Sequence, residues 1–302
     1  MIDRLPHGRH RPVTLSPITL RQVQQEAIVR LSALPHASAE LEAALLLCHL
    51  LGKPRSFLYA WPEHQLTEQQ RNAYQSLIER RLRGEPIAHI TGEREFWSLP
   101  LRVTRDTLIP RPETELLVER ALQHLQTAAT PLVADLGTGS GAIALALATE
   151  RPDAEIHAVD RSPAALEIAA ENIRRLAPDR VSLFPGSWCD ALPPDRRYDL
   201  ILSNPPYIES DDPHLVQGDL PHEPSSALVS GPDGLDDIRT IARQAPGRLK
   251  TDGWLLVEHG YRQGEAVRTL FRQAGLVGIA THSDLAGHER ITEGRMPGDN
   301  PA

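Results

Sequence analysis

Residues 132–149 read LVADLGTGSGAIALALAT, a short apolar run followed directly by a glycine loop and an alanine-rich run. A short apolar run that ends at glycine is typical of a buried strand, and the alanine-rich run favours a helix. Strand-like and helix-like runs keep alternating as far as Glu258, which predicts a parallel sheet covered by helices. Residues 278–296 then read as an antiparallel pair. We therefore predict an α/β domain over residues 113–302, with an antiparallel last strand.

The first 85 residues have a different pattern, because apolar residues recur there at helical spacing. Thr67, followed by Gln70, forms a capping box that predicts the start of one of the helices. Residues 86–112 gather β-forming residues and end at a proline-rich segment, so we predict a β-hairpin linker there. The expected order is a small helical bundle over residues 1–85, the hairpin, and the α/β domain.

Composition excludes several classes of protein. Hydrophobic residues make up 40% and charged residues 24% of the 302 residues, and no run reaches the ~18–20 apolar residues of a membrane helix. The two cysteines, Cys48 and Cys189, have no CxxC spacing, which argues against disulfides and structural zinc. The first residues lack the apolar core of a signal peptide, so we expect a cytoplasmic protein. We also expect no metal centre.

Charge is unevenly distributed along the chain. Residues 1–110 hold 14 basic against 11 acidic side chains, a net +3, whereas residues 111–302 hold 18 against 29, a net −11. An acidic body opposes binding to a phosphate backbone, because that affinity comes mainly from basic residues. We therefore do not expect free duplex DNA as a partner.

The glycine loop is the first candidate binding site. Glycines let the backbone approach a ligand closely, and the following helix offers free N–H groups. The dinucleotide spacing G-x-G-x-x-G fails because Ala142 stands at its last position, so a nucleoside ligand without phosphates fits better. A tight turn without a ligand is the alternative. The candidate cofactor-binding residues of this loop are Gly137, Thr138, Gly139, Ser140 and Gly141.

Asp160 is the second candidate, because it ends the strand that follows the glycine loop. A carboxylate at this place can accept both hydroxyls of a ribose, and it serves a nicotinamide dinucleotide or S-adenosylmethionine equally well. The alternative is a strand-end acid that caps the next helix through Ser162.

Asn204-Pro205-Pro206-Tyr207 directly follows the strand that ends at Ser203 and discriminates between these ligands. Two consecutive prolines fix the backbone and leave carbonyl oxygens free as acceptors. The Asn204 side-chain oxygen and the Pro205 carbonyl can together accept both hydrogens of a planar NH2 group, and Tyr207 can pack on the flat face of the substrate. We predict that these four residues bind the substrate and are catalytic, and that Asn204 also faces the cofactor.

In this order, the glycine loop, the ribose acid and the N-P-P-Y turn resemble class I S-adenosylmethionine-dependent methyltransferases that act on exocyclic or amide nitrogens. From Leu20 to Arg295 the chain is similar to one family among them, the peptide chain release factor N5-glutamine methyltransferases. The further matches are Gly84–Ala88 (GEPIA), Arg94–Trp97 (REFW), Ile109–Glu115 (IPRPETE), Gly218–Asp219, Glu223–Pro224 and Glu258–Gly260 (EHG). The resemblance implies a Rossmann-like class I methyltransferase sheet, preceded by a helical domain that helps to recognise the substrate.

The resemblance also implies a reaction, in which S-adenosyl-L-methionine methylates the glutamine of a Gly-Gly-Gln motif in release factors and leaves S-adenosyl-L-homocysteine. Residue by residue, it implies that Gly137–Gly141 line the methionine part, that Asp160 binds the ribose, and that Trp188 lies against the adenine. Asn204–Tyr207 would hold the glutamine side chain. As partners we expect release factors, neither DNA nor a membrane, and a monomeric protein.

One departure from the family pattern is Ser187, which stands where an acid commonly precedes Trp188, although Asp190 is near enough in sequence to compensate. Other candidates have two interpretations each. Asp135 either supports the loop or contacts the cofactor, and Phe96 is either a pocket wall or a core residue. Glu113 and Glu115 are either direct participants or acids favoured at a helix start, and His259 is either a base or an ordinary strand-end histidine.

An amide nitrogen is a poor nucleophile, because its lone pair is delocalised. Our hypothesis is that Asn204 and Pro205 orient this nitrogen and stabilise the charge that develops on it, so that no strong base is needed. The same turn could hold the amine of adenine, but an adenine-N6 methyltransferase needs a basic groove. A nicotinamide-dependent oxidoreductase would share the glycine loop but not use the turn, and a non-catalytic sensor of S-adenosylmethionine is the remaining alternative.

Overall fold

The computed structural model describes residues 18–35, 38–177 and 179–298, so residues 1–17 of the predicted bundle and 299–302 of the predicted α/β domain lie outside the described residues. The chain divides into two compact units, Met1–Ile90 and Thr91–Ala302. Within the described part, none of the helices combines the length and the apolar composition that crossing a membrane requires.

The first unit is a helical bundle, as predicted. Its helices are α1 (Leu20–Leu31), α2 (Ala39–Leu51), α3 (Arg55–Ala60), α4 (Glu68–Leu82) and α5 (Ile87–Thr91). The capping box at Thr67 is confirmed, since its hydroxyl accepts from the Gln70 backbone and the Gln70 side chain accepts from the Thr67 backbone. Leu20, Leu46 and Ile78 are among the buried residues of one apolar core shared by α1, α2 and α4.

The predicted hairpin is shorter than expected. Ile87–Thr91 form α5 instead of a strand, because the preceding Pro86 fits the first turn of a helix and its carbonyl accepts from the amide of Ile90 at 3.0 Å. The hairpin itself consists of β1 (Glu93–Phe96) and β2 (Leu99–Arg102), which pair in antiparallel fashion.

The second unit contains a sheet of seven strands with helices between them. Its elements are α6 (Glu115–Leu125), β3 (Leu132–Leu136), α7 (Ala142–Glu150), β4 (Glu155–Asp160), α8 (Pro163–Leu176), β5 (Val181–Pro185), β6 (Tyr198–Ser203), α9 (Asp236–Gln244), β7 (Leu249–Glu258), α10 (Gly264–Gln273), β8 (Val277–Ser283) and β9 (Glu289–Arg295). The strand order is β5-β4-β3-β6-β7-β9-β8. All neighbours are parallel except that β9 runs antiparallel to β7 and β8, which confirms the predicted antiparallel last strand.

Helices cover both faces of this sheet. One core joins residues of α6, α7 and α8 to Val133, Leu200 and Leu256, and the other joins α9 and α10 to Ala134 and Ile201. Strands buried on both faces are rich in apolar residues, which is why β3 and β6 were recognisable in the sequence despite Asp135 and Asp199. By contrast, α10 was not predicted, and β7 begins at Leu249, earlier than the strand expected over Trp254–Glu258.

The order of the strands indicates where a ligand would bind to the sheet. From β3 the chain moves outward through β4 to β5 and then returns to form β6 on the other side of β3. In open α/β sheets, ligands bind outside the carboxyl ends of the strands at such a switch point. Leu136 and Ser203 are paired at these ends, and the Ser203 hydroxyl donates to the Leu136 carbonyl at 2.6 Å. The glycine loop and the N-P-P-Y turn therefore start side by side.

Candidate active site

A cleft of about 660 Å³ lies at the carboxyl ends of β3, β4 and β6. Thr107, Leu108 and Pro224 form part of its wall. It brings together six of the predicted site residues, which come from four separate segments of the chain: Gly137, Gly139, Asp160, Trp188, Asn204 and Pro206.

Glycine is required at two positions of the loop. Gly137 has φ +76°, and a Cβ added there would lie 3.2 Å from the Trp188 ring. Gly141 caps α7 with φ 85°, also in the left-handed region that favours glycine. The loop can thus turn tightly into α7 and leave the floor of the cleft open.

Thr138, Ser140 and Gly141 are not among the residues that line the cleft, although the sequence suggested them as cofactor contacts. The Thr138 hydroxyl donates to Oδ2 of Asp135 at 2.6 Å, and the Ser140 carbonyl accepts from Asn172 at 2.9 Å. These contacts brace the loop from behind.

Asp135 is fully buried at the end of β3, directly before the glycine loop. Burial raises the pKa of its carboxyl to about 7, and the hydrogen bond from Thr138 opposes this rise. Its other oxygen, Oδ1, has no hydrogen-bond partner within the described residues. A buried acceptor of this kind suits a cationic or donating ligand group.

Asp160 braces the loop and the next helix with its two oxygens. Oδ2 accepts from the Gly139 amide and Oδ1 from the Ser162 amide, both at 2.9 Å. Ser162 itself caps α8, because its hydroxyl accepts from the Ala165 amide at 3.2 Å. The carboxylate is therefore fixed at the cleft, and it keeps lone pairs that can accept ribose hydroxyls.

The segment after β5 forms another part of the wall, with both Ser187 and Trp188 facing the cleft. Asp190 does not compensate for the acid missing at position 187. It accepts from the Gln244 side chain at 2.8 Å and is not among the described residues that line the cleft. Asp190 is close to position 187 in sequence but not at the cleft, because residues 188–191 form a helical turn that directs Asp190 towards α9.

A second, smaller cavity of about 340 Å³ adjoins the cleft. Pro205 and Tyr207 line it, and Leu108, Asn204 and Ala227 line both cavities. The N-P-P-Y turn thus lies at the junction between the larger cleft and the smaller cavity.

Asn204 is oriented by a neighbour that the sequence did not reveal. Its Nδ2 donates to the hydroxyl of Thr114 at 3.0 Å, which directs Oδ1 elsewhere as a free acceptor. The Tyr207 hydroxyl donates to Glu258 Oε1 at 3.3 Å, and burial is the main cause that raises the pKa of Tyr207. The Tyr207 carbonyl accepts from Gln263 at 3.0 Å. Both ends of the turn are therefore held rigidly.

An ion pair ties together two segments that wall the smaller cavity. Arg111 pairs with Glu223, and the other Glu223 oxygen accepts from the Ile109 amide at 2.9 Å. The Glu223 side chain is fully buried, and this desolvation raises the pKa of its carboxyl despite Arg111. Leu220, which precedes Glu223 in the same segment, lines this cavity together with Arg111.

The structure assigns structural contacts to the remaining candidates. Phe96 belongs to the core, and the Glu115 carboxylate accepts from the Trp97 amide at 2.9 Å. Glu113 is exposed and lines neither cavity. His259 is buried and hydrogen-bonded to the Thr292 hydroxyl at 2.8 Å, burial lowers its pKa, and it is not among the described residues that line either cavity.

Thr114 and Glu258 contact the N-P-P-Y turn, and sequence reasoning did not single them out. They lie inside the IPRPETE and EHG matches, so a signal was present, but no pattern in the sequence shows that they meet the N-P-P-Y turn. Contacts between residues so distant in the chain become visible only after the sheet has been assembled.

Two family models match the chain. Residues 22–92 match the PrmC N-terminal domain, and residues 113–231 match the methyltransferase small domain. A release factor glutamine methyltransferase of Vibrio cholerae is 49% identical over 94% of this chain and 99% of its own length. The protein of that name from Pseudomonas aeruginosa is 52% identical over 87% of this chain and 95% of its own.

Solved structures are similar as well. The release factor-specific protein-(glutamine-N5) methyltransferase of Alicyclobacillus acidocaldarius is 30% identical, with a TM-score of 0.40, over 65% of this chain and 99% of its own. The catalytic domain of hMettl16 has a TM-score of 0.53 at 13% identity, over 78% of this chain and 84% of its own, which is a likeness of fold.

Proposed function

This chain belongs to the family of release factor glutamine methyltransferases, and on that premise we propose that it methylates the side-chain amide nitrogen (N5) of the glutamine in the Gly-Gly-Gln motif of peptide chain release factors. The observation that carries the proposal is Asn204 at the junction of the two cavities. Its nitrogen is bonded to Thr114, so its oxygen remains to accept from a substrate NH2 group.

The residues of the larger cleft fit S-adenosyl-L-methionine, and we propose it as the cofactor. Asp160 would accept from the ribose hydroxyls, and Trp188 would lie against the adenine. Gly137 leaves room for the methionine part, and the unpartnered Asp135 Oδ1 lies directly behind that loop. When bound, the cofactor supplies an electrophilic methyl group on a sulfonium and is converted to S-adenosyl-L-homocysteine.

The chain supplies orientation rather than a strong base. Asn204 Oδ1 and the Pro205 carbonyl accept the two hydrogens of the glutamine NH2 group, which directs the nitrogen lone pair towards the larger cleft. Both acceptors also stabilise the positive charge that develops on this nitrogen during transfer, after which the methylated nitrogen releases one proton to solvent. Tyr207 and Leu108 line the smaller cavity, where the glutamine side chain would lie.

We also propose how the rest of the molecule serves this reaction. The helical unit assists in docking the release factor, while the protein acts as a monomer in the cytoplasm and binds neither DNA nor membranes. Adenine methylation is not favoured, because residues 111–302 carry a net charge of −11, from 18 basic and 29 acidic residues, whereas a strand-binding groove is basic.

Radiolabelled methyl transfer tests the proposal. Purified protein and S-adenosyl-L-methionine are mixed with an intact bacterial release factor, with the same factor lacking its Gly-Gly-Gln glutamine, or with duplex DNA. We expect label on the intact factor alone, placed on that glutamine by peptide mass spectrometry. Label on DNA would support the adenine enzyme instead, and cofactor binding without any label would refute the proposed acceptor.

A further inference from the structure

We propose that Glu258 acts as a positioning residue, which fixes the Asn204 amide through the hydroxyl of Thr114 so that the amide oxygen, and not its NH2 group, faces the substrate. The inference rests on the proposed function, because it concerns how the acceptor nitrogen is oriented.

The geometry begins with a buried carboxyl behind the turn. Glu258 ends β7 and is 1% exposed, and Thr114, directly before α6, is 4% exposed. Oε1 of Glu258 accepts from the Tyr207 hydroxyl, whereas Oε2 is buried and has no hydrogen-bond partner within the described residues. The Thr114 hydroxyl interacts with the same carboxyl and lowers its pKa. Among the described residues no hydrogen bond joins Thr114 to Oε2, and the proposal is that the hydroxyl hydrogen of Thr114 turns to this unpartnered oxygen.

A hydroxyl has one hydrogen, and the partner to which Thr114 donates it decides how the Asn204 amide is oriented. If Thr114 donates to Glu258, its oxygen can only accept from Asn204, so Nδ2 turns to Thr114 and Oδ1 turns away, as observed. If Thr114 donated to Asn204 instead, the amide would flip and present its own NH2 group to the substrate. Two NH2 groups cannot hydrogen-bond through their donors, so that arrangement would not hold the acceptor nitrogen.

An ionised carboxylate enforces the first arrangement, because it can only accept. Burial raises the pKa of Glu258 to about 7, while Thr114, Arg290 and Tyr207 lower it and the charge of Glu113 raises it. As the pH falls through this range, Glu258 gains a proton and can itself donate to Thr114. The direction of the chain of hydrogen bonds is then no longer fixed, and the rate of methyl transfer falls.

The test is a double-mutant cycle on methyl transfer, with kcat and both KM values measured between pH 6 and 9. Glu258→Gln keeps the shape but can donate to Thr114, and Thr114→Val keeps the shape but removes the hydroxyl. We expect each to lower kcat about 10- to 100-fold, the effect of one charge-assisted hydrogen bond, with little change in KM. The double variant should lose no more than the worse single variant, and Glu258→Gln should lack the acidic limb of the pH profile.

Two controls separate positioning from folding. Thr114→Ser retains the hydroxyl and should restore most of the rate, and Glu293→Gln neutralises another buried carboxyl, away from the turn, and should leave kcat unchanged. Additive losses in the double variant, a loss confined to KM, or an acidic limb that persists in Glu258→Gln would each overturn the inference. If Glu258→Gln does not fold, the Thr114→Val and Thr114→Ser pair decides, since equal rates for both would also overturn it.

Failure of the proposed function gives a different result. In that case the wild-type protein itself leaves the release factor unlabelled, and the same cycle is run on whichever nitrogen acceptor the wild type methylates. Full activity of Glu258→Gln beside an active wild type refutes the positioning role alone.

Discussion

Under the proposed function, the orientation of the Asn204 amide decides which of its ends meets the substrate. Its nitrogen is occupied by Thr114, so its oxygen is the end that remains for the substrate. We expect Asn204→Ala to lower kcat by about 10²–10³, the loss typical for one preorganised polar group in a transition state. Isothermal titration should show the affinity for S-adenosyl-L-methionine changed by less than about threefold. Equal losses of rate and cofactor affinity would contradict the orienting role.

Asp160 should behave in the opposite way, because it faces the larger cleft and not the smaller cavity. Asp160→Asn replaces one acceptor oxygen by a donor, which disturbs the bond from Gly139 or Ser162 as well as the proposed bonds to ribose. We expect cofactor binding to weaken about 10- to 100-fold, with the KM for the release factor nearly unchanged. Calorimetry with S-adenosyl-L-homocysteine measures this directly, and unchanged affinity would exclude Asp160 as the ribose ligand.

At the scale of elements, the sequence revealed the strands that are buried on both faces. The bounds of β3 and β6 were predictable because most of their residues are apolar and lie between turn signals, although Asp135, Asp199 and Ser203 interrupt the pattern. The hairpin was less predictable, since its turn places Trp97 and Ser98 at positive φ (53° and 59°), where glycine or asparagine is expected. The contact between Thr114 and Asn204 had no local signal, because it forms only when β6 and α6 pack together.

Glu293 joins three elements and makes their packing depend on pH. On β9, it accepts from Arg120 and His124 of α6, and it pairs with His282 of β8. Burial alone would raise its pKa, but the bonds from His124, Arg120 and His282 outweigh it and lower the pKa from 4.5 to about 2. A depressed carboxyl pKa contributes stability above the unfolded pKa, and this contribution is lost as the pH falls through the folded one.

We therefore expect Glu293→Gln to lower the free energy of unfolding at pH 7 by about 1–3 kcal/mol, the scale of such a pKa difference. The deficit relative to the wild type should shrink between about pH 4.5 and pH 2, the window set by the two pKa values. Urea titrations at a series of pH values measure both quantities. A deficit that stays constant across this window would show that the carboxylate charge contributes nothing.

The whole molecule combines two units that have separate apolar cores. The first unit buries Leu20, Leu46 and Ile78 among its own helices, and the second encloses its sheet between two further cores. All residues that line the two proposed binding cavities lie between Asp106 and Leu228, within the second unit. Cofactor binding and recognition of the protein substrate should therefore be separable.

A protein of residues 91–302 tests that separation. We expect it to fold, to bind S-adenosyl-L-methionine within about threefold of the full chain, and to methylate a short Gly-Gly-Gln peptide at the rate of the full chain, because the chemistry needs only the second unit. Its kcat/KM on an intact release factor should fall by more than tenfold, about 1.4 kcal/mol of lost transition-state binding. Equal activity of both proteins on the intact factor would show that the helical unit has no part in recognition, whereas failure of residues 91–302 to fold would show that the second core depends on the first.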